Sequence, residues 1–125
     1  MQVLIVEDDE VVQGVLKAYL THYAGEHGMD LELQQLDDAS EALALFTDGQ
    51  HDSDMVFLDV RMPKMSGDEL YSQLQKIRPE LLGRIIFITS HRAGLLERFP
   101  DQKLNILDKP FRYQRLLEAM DAISV

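Results

Sequence analysis

Four short apolar runs punctuate the chain, and each closes on polar groups. Residues 3–6 (Val-Leu-Ile-Val) lead into Glu7-Asp8-Asp9, and 55–58 (Met-Val-Phe-Leu) into Asp59. Residues 85–88 (Ile-Ile-Phe-Ile) lead into Thr89-Ser90, and 104–107 (Leu-Asn-Ile-Leu) into Asp108-Lys109-Pro110. Runs of this kind suit strands of a parallel sheet covered on both faces. A fifth stretch sets Leu31, Leu33 and Leu36 among polar neighbours, the pattern of a half-exposed edge strand. Between these runs the apolar spacing becomes helical. Asp9 caps a helix from about Glu10, with Val11, Val12, Val15, Leu16, Tyr19 and Leu20 on its stripe and Gly25 and Gly28 marking the turn beyond. Asp38 or Ser40 caps a second helix whose apolar face holds Ala42, Leu43, Leu45 and Phe46. The polar segment 48–54 reads as a loop, as does 61–67 with Pro63 and Gly67. A third helix turns Leu70, Leu74 and Ile77 inward and stops at Pro79. A short fourth spans 93–99, closed by Pro100, and a last begins near Arg112 with Tyr113, Leu116, Leu117, Met120 and Ile123 on one face.

Strands and helices in alternation predict βαβ units. The expected fold is a single α/β domain over 1–125, a doubly wound five-stranded parallel sheet of order 2-1-3-4-5 with helices on both faces, flavodoxin-like. Ligands of such sheets bind in the crevice at the carboxyl ends of the strands. That edge is where Glu7, Asp8, Asp59, Thr89 and Lys109 fall. Neither GxxxxGK[ST] nor GxGxxG occurs, so a mononucleotide or dinucleotide site has no support.

Charge narrows the field. Twelve Lys and Arg against 22 Asp and Glu give a net charge of -10, a field that repels phosphate backbones. Direct nucleic-acid binding by this domain is not expected. Without cysteine there is no disulfide framework, thiolate metal site or thiol catalysis. No apolar run has the length of a membrane span, and the N-terminus lacks the basic and apolar regions of a secretory signal. The expectation is a cytoplasmic domain with no membrane partner. No two of His22, His27, His51 and His91 have metal-ligand spacing, and all four are expected to be exposed.

The strand-end residues carry chemistry as a set. Glu7, Asp8 and Asp59 supply the oxygen donors that Mg2+ prefers. Without a cation, carboxylates this close raise each other's pKa. A purely helix-capping role, where negative charge is also favoured, suits Asp9 and Asp38 but not three acids converging on one edge. Asp59 is the candidate nucleophile towards phosphorus. Lys109 and magnesium would offset charge on the phosphoryl oxygens, and the Thr89 hydroxyl would donate to one of them. Taken singly, Lys109 also reads as a surface lysine and Thr89 as an ordinary β-branched strand residue.

Over essentially its full length the chain resembles the receiver domains of two-component response regulators. The resemblance rests on four pieces in order: the 3–9 opening; 58–67 (Leu-Asp-Val-Arg-Met-Pro-Lys-Met-Ser-Gly); Ile88-Thr89-Ser90; and Asp108-Lys109-Pro110-Phe111. It implies that Asp59 is phosphorylated by a histidine kinase, a phosphotransfer protein or a small phosphodonor. Asp8 and Asp59 would bind magnesium, with Glu7 acting through water and the backbone carbonyl of Arg61 as a further ligand. Lys109 would pair with Asp59, with a cis bond to Pro110, and Thr89 would move towards the phosphoryl group. The face of the fourth helix, fifth strand and fifth helix would carry the signal to an output domain or target protein, or into a homodimer. Residues at the positions of Arg61 and His91 would tune the lifetime of the phosphoryl group.

Three departures bear on the switch and none on the phosphorylation residues. Ile106 stands where the family often has an aromatic switch residue, so ring rotation is not the readout. Residues 90–103 are short and broken by Pro100, which implies a stunted fourth helix. Residues 21–30 are longer than usual, which implies an extended first helix or a protruding loop. Two other readings compete. A phosphohydrolase of the haloacid-dehalogenase kind wants a second Asp two residues after the nucleophile, where this chain has Arg61, and a cap insertion for which there is no room. A degenerate receiver acting as a phosphorylation-independent interaction module predicts loss of the acids or of Lys109, and all are present.

Overall fold

Five parallel strands form one sheet in the computed structural model, which describes residues 1–49 and 51–123. Gln50, in the loop expected over 48–54, and Ser124 and Val125 lie outside the described residues. The elements run β1 (Gln2–Val6), α1 (Glu10–Glu26), β2 (Glu32–Leu36), α2 (Ala39–Thr47), β3 (Met55–Asp59) and α3 (Gly67–Ile77). A 3-10 helix (Pro79–Arg84), β4 (Ile85–Thr89), α4 (Arg92–Arg98), β5 (Ile106–Asp108) and α5 (Tyr113–Asp121) complete the chain. The strand order is β2-β1-β3-β4-β5, as the alternation predicts. Ile5 pairs with Phe57, and Leu58 with Phe87. The order reverses between β1 and β3, so the crevice opens where β1 runs out at Glu7 and β3 at Asp59.

The side-chain period of two sorts the strand residues between two cores. Leu4, Val6, Val56, Leu58, Ile85 and Phe87 meet α2, α3, the 3-10 helix and α4 through Phe46, Leu70, Leu74, Leu81 and Leu95. Val3, Ile5, Met55, Phe57, Ile86 and Ile88 meet α1 and α5 through Leu16, Leu20, Leu116 and Met120. β3 and β4 are buried at every residue because both faces are covered, which is why they read as unbroken apolar runs.

Several expectations are corrected. Val11 is 74% exposed: the buried stripe of α1 is Leu16, Leu20 and Ala24, and Val11 lies off it. Ile77 is 44% exposed at the last turn of α3. Gly25 is inside α1, which extends to Glu26, and Gly28 alone makes the turn, with φ of 60°. The long 21–30 segment is thus mostly helix. α4 begins one residue earlier than expected and has 7 residues, short as the departures imply. β5 begins at Ile106 rather than Leu104. Asn105 still passes its carbonyl to the Phe87 amide (2.8 Å), while its side chain turns away to cap the Ala119 carbonyl (2.7 Å).

His51 is half-buried rather than exposed. Its ring meets Phe46 edge-on, and Nε2 lies 2.5 Å from the buried Ser53 hydroxyl. Burial lowers its pKa and nearby Arg78 adds to this, outweighing Asp52. Above the unfolded value of 6.5 neither state is charged there. As pH falls below it, the unfolded chain takes a proton that the folded chain accepts only at lower pH, so stability is lost on acidification. His51→Gln is expected to shrink the drop in urea midpoint between about pH 7.5 and about pH 5.5.

Candidate functional site

Five chemistry-bearing residues stand at the carboxyl ends of three adjacent strands and of β5. Glu7 and Asp8 directly follow β1, Asp59 ends β3, Thr89 ends β4, and Lys109 directly follows β5. Glu7 (0% exposed), Asp59 (4%) and Thr89 (2%) are buried, and Asp8 is exposed. Together with Asp9, Arg61 and Ser90 they line a cleft of about 400 Å³.

Two loops hold the acids in place. Asp9 takes extended backbone and accepts from the amides of Val11 (2.8 Å) and Val12 (3.4 Å), capping α1. Its own amide donates to Glu7 Oε2 (3.2 Å). Gln13, one turn into α1, donates its side-chain amide to the Glu7 carbonyl. Beyond β3, the Gly67 amide closes the loop onto the Val60 carbonyl (2.9 Å), and Ser66 caps α3 by accepting from Glu69 N (3.3 Å) while donating to Glu69 Oε1 (3.0 Å). A Cβ built on Gly67 would stand 2.0 Å from the Asp59 carbonyl oxygen, so only glycine lets α3 start against the end of β3. Lys64 bends the same loop with φ of 68°.

Lys109 draws the buried acids together. Its Nζ lies 2.9 Å from Glu7 Oε1 and 3.2 Å from Asp59 Oδ1. The Glu7 contact is a short ion pair onto an oxygen that is buried. Burial first, and the Asp59 carboxylate next, push the Glu7 carboxyl above the usual range. Burial disfavours the charge on Lys109, but Glu7 and Asp59 outweigh it and hold its pKa above that of a free lysine. The Lys109–Pro110 bond is cis, and the Lys109 amide donates to the Thr89 carbonyl (2.9 Å).

The set fits a hard divalent cation. One carboxylate oxygen from each of Glu7, Asp8 and Asp59 falls within 4.8 Å of the others, which is the hard oxygen donor set such a cation takes. Removing the lysine leaves two buried like charges together. Lys109→Met is expected to cost about 1–2 kcal/mol of metal-free stability, after allowance for the partial exposure of Lys109. Adding Glu7→Gln recovers most of it; urea unfolding of the single and double variants checks this.

Thr89 uses its hydroxyl locally, accepting from the His91 amide (2.9 Å). His91 is exposed and outside the cleft lining, so it acts here through its backbone. Arg61 is exposed at the rim, and Ile106 is half-buried. Two residues add to the predicted set: Asp9, whose amide holds Glu7 besides capping α1, and Gln13. For Gln13 the available signal was its i, i+4 spacing from Asp9, which puts both on one side of α1.

A doubly wound sheet with an acidic cluster at its switch point, and a lysine reaching that cluster from the end of β5, has the donors for a metal ion and the charge to meet an anionic group. The comparisons are more specific: the model of the response regulator receiver domain matches residues 3–121, and the chain belongs to that family. Such receivers are the phosphorylation-activated switches of two-component signalling. A response regulatory protein of Yersinia pestis is 31% identical over 99% of this chain and 48% of its own length. The transcriptional regulatory protein LytR of Staphylococcus aureus is 27% identical over 98% and 47%. The chain thus spans about half the length of the curated relatives it matches. The non-phosphorylated HemR receiver domain of Leptospira biflexa superposes with a TM-score of 0.76 at 26% identity, covering 99% of this chain and 94% of that one. The receiver domain of a sensor histidine kinase from Pseudomonas aeruginosa, with a magnesium ion coordinated in its active-site cleft, gives 0.78 at 22% identity over 98% and 95%. At that identity it speaks to the fold alone. No helix among the described residues is long and apolar enough to cross a membrane.

Proposed function

We propose that residues 1–125 form one receiver domain in which Asp59 accepts a phosphoryl group from a histidine kinase, a phosphotransfer protein or a small phosphodonor. The observation that carries this reading is the buried Asp59 carboxylate between two further acids and the Lys109 ammonium at one strand edge. Asp59 attacks phosphorus, a new P–O bond forms, and the bond to the donor breaks as its leaving group departs with the electron pair. Lys109, already 3.2 Å from Asp59, neutralises charge on the transferred group. The Thr89 hydroxyl accepts from a backbone amide, which leaves its proton available for a phosphoryl oxygen. Glu7, Asp8 and Asp59, with the Arg61 carbonyl, would hold Mg2+, which supplies further positive charge at the phosphoryl oxygens when bound. The domain acts only on its own phosphoryl group, and Arg61 at the cleft rim tunes how long that group lasts. The changed surface is read by an output domain or target protein in the cytoplasm, with no direct contact to nucleic acid or membrane.

Incubation with acetyl phosphate, followed by intact mass, tests this. One phosphoryl adduct that requires Mg2+ is the expected result. No adduct, with Mg2+ bound, would favour a phosphorylation-independent interaction module or a strict need for the cognate kinase, and a kinase phosphotransfer screen separates the two.

A further inference from the structure

α4 has little apolar anchorage: it spans 7 residues, Leu95 is its buried residue, and His91 gives no side-chain cap. Two arginines fasten its ends instead. Arg98 pairs with Asp68 and reaches Ser72 (3.3 Å), both in α3. Arg92 makes a fork across β5: Nε lies 3.2 and 3.1 Å from the two Asp108 carboxylate oxygens, and Nη2 lies 2.7 Å from Oδ2. Nη2 also reaches the Ile106 carbonyl at 3.4 Å. Asp108 directly precedes Lys109, and Arg92 follows Thr89 by three residues. The fork therefore ties the start of α4, just beyond Thr89, to the end of β5, just before Lys109, and adds a side-chain tie to the backbone bond from the Lys109 amide to the Thr89 carbonyl.

We infer that the Arg92–Asp108 fork is a latch that holds the loop of Thr89 in its present position, so that Arg92 is a positioning residue which opposes the switch. The inference rests on the phosphoacceptor reading of Asp59. Thr89 is bonded to the His91 amide, one residue before Arg92. A move of Thr89 towards Asp59 carries residues 90–92 with it, and a planar two-point contact does not survive such a shift. What stabilises the present state alone makes the shifted state rarer.

The test compares Arg92→Gln, Asp108→Asn and the double variant in acetyl phosphate with Mg2+. Each single variant is expected to take the phosphoryl group about two- to fivefold faster than wild type, the range of an exposed ion pair. The double variant should be no faster than either, because both changes break one contact. Unchanged or slower rates, or additive gains, would overturn the latch. Amide hydrogen exchange without a phosphodonor gives a second readout. Arg92→Gln should speed exchange over both 89–93 and 108–111, whereas an effect confined to 89–93 would mean a merely frayed α4 and no latch. If wild type takes no phosphoryl group from acetyl phosphate or from a histidine kinase, the phosphoacceptor reading fails, and exchange alone still decides whether the latch joins the two segments.

Discussion

Gly67→Ala lowers the unfolding free energy by about 3 kcal/mol, the upper end for overpacking. The added methyl group meets the Asp59 carbonyl oxygen at 2.0 Å, its carbon at 2.9 Å and Leu58 Cγ at 3.1 Å. The first two are backbone of a strand buried on both faces, so no flexible side chain can swing away. α3 must retreat, which strains the hydrogen bond from the Gly67 amide to the Val60 carbonyl and the packing of Leu70 and Leu74. Gly14→Ala is the control: that glycine lies inside α1 with nothing within 4 Å of a built Cβ, and alanine there should stabilise by about 0.5–1 kcal/mol. Urea midpoints of both variants check the pair. The clash is with the backbone of Asp59 itself, so Gly67→Ala should also slow phosphorylation.

Asp59→Asn separates function from stability. It should abolish the phosphoryl adduct, because an amide has no carboxylate to attack phosphorus. It should not lower metal-free stability, since it removes one of two neighbouring buried carboxylates and leaves Lys109 paired with Glu7. The gain on adding Mg2+ should shrink too. For wild type that gain is about 2.7 kcal/mol at a hundredfold excess over the dissociation constant. Intact mass reads the first expectation, and thermal or urea unfolding with and without Mg2+ reads the other two. An Asp59→Asn protein that is markedly less stable without metal would show that Asp59 serves the fold rather than the site.

How much of this was legible depended on what fixes each feature. β1, β3 and β4 were readable to within a residue because strands covered on both faces need unbroken apolar runs. Their last residues define the cleft, so Glu7, Asp8, Asp59 and Thr89 were readable with them. β5 was not, because Leu104 and Asn105 look like strand while the Asn105 side chain is drawn to the Ala119 carbonyl, a partner distant in sequence. Val11 and Ile77 carry the right residue type at a helix's edge, where spacing cannot tell stripe from rim. The 3-10 helix at Pro79–Arg84 was missed because Pro79 reads as a stop, yet Leu81 within it is fully buried. Gly67 was visible as a loop residue, but its role is a contact between two backbones. The Arg92–Asp108 fork joins residues 16 apart and leaves no local pattern.

The most direct test of the central claim is to locate the phosphoryl group. Acyl phosphates are reduced by borohydride to the alcohol, so the phosphorylated protein, reduced and digested, should carry homoserine at position 59. Homoserine at Asp8, Asp9 or another acid, with Asp59 intact, would contradict it.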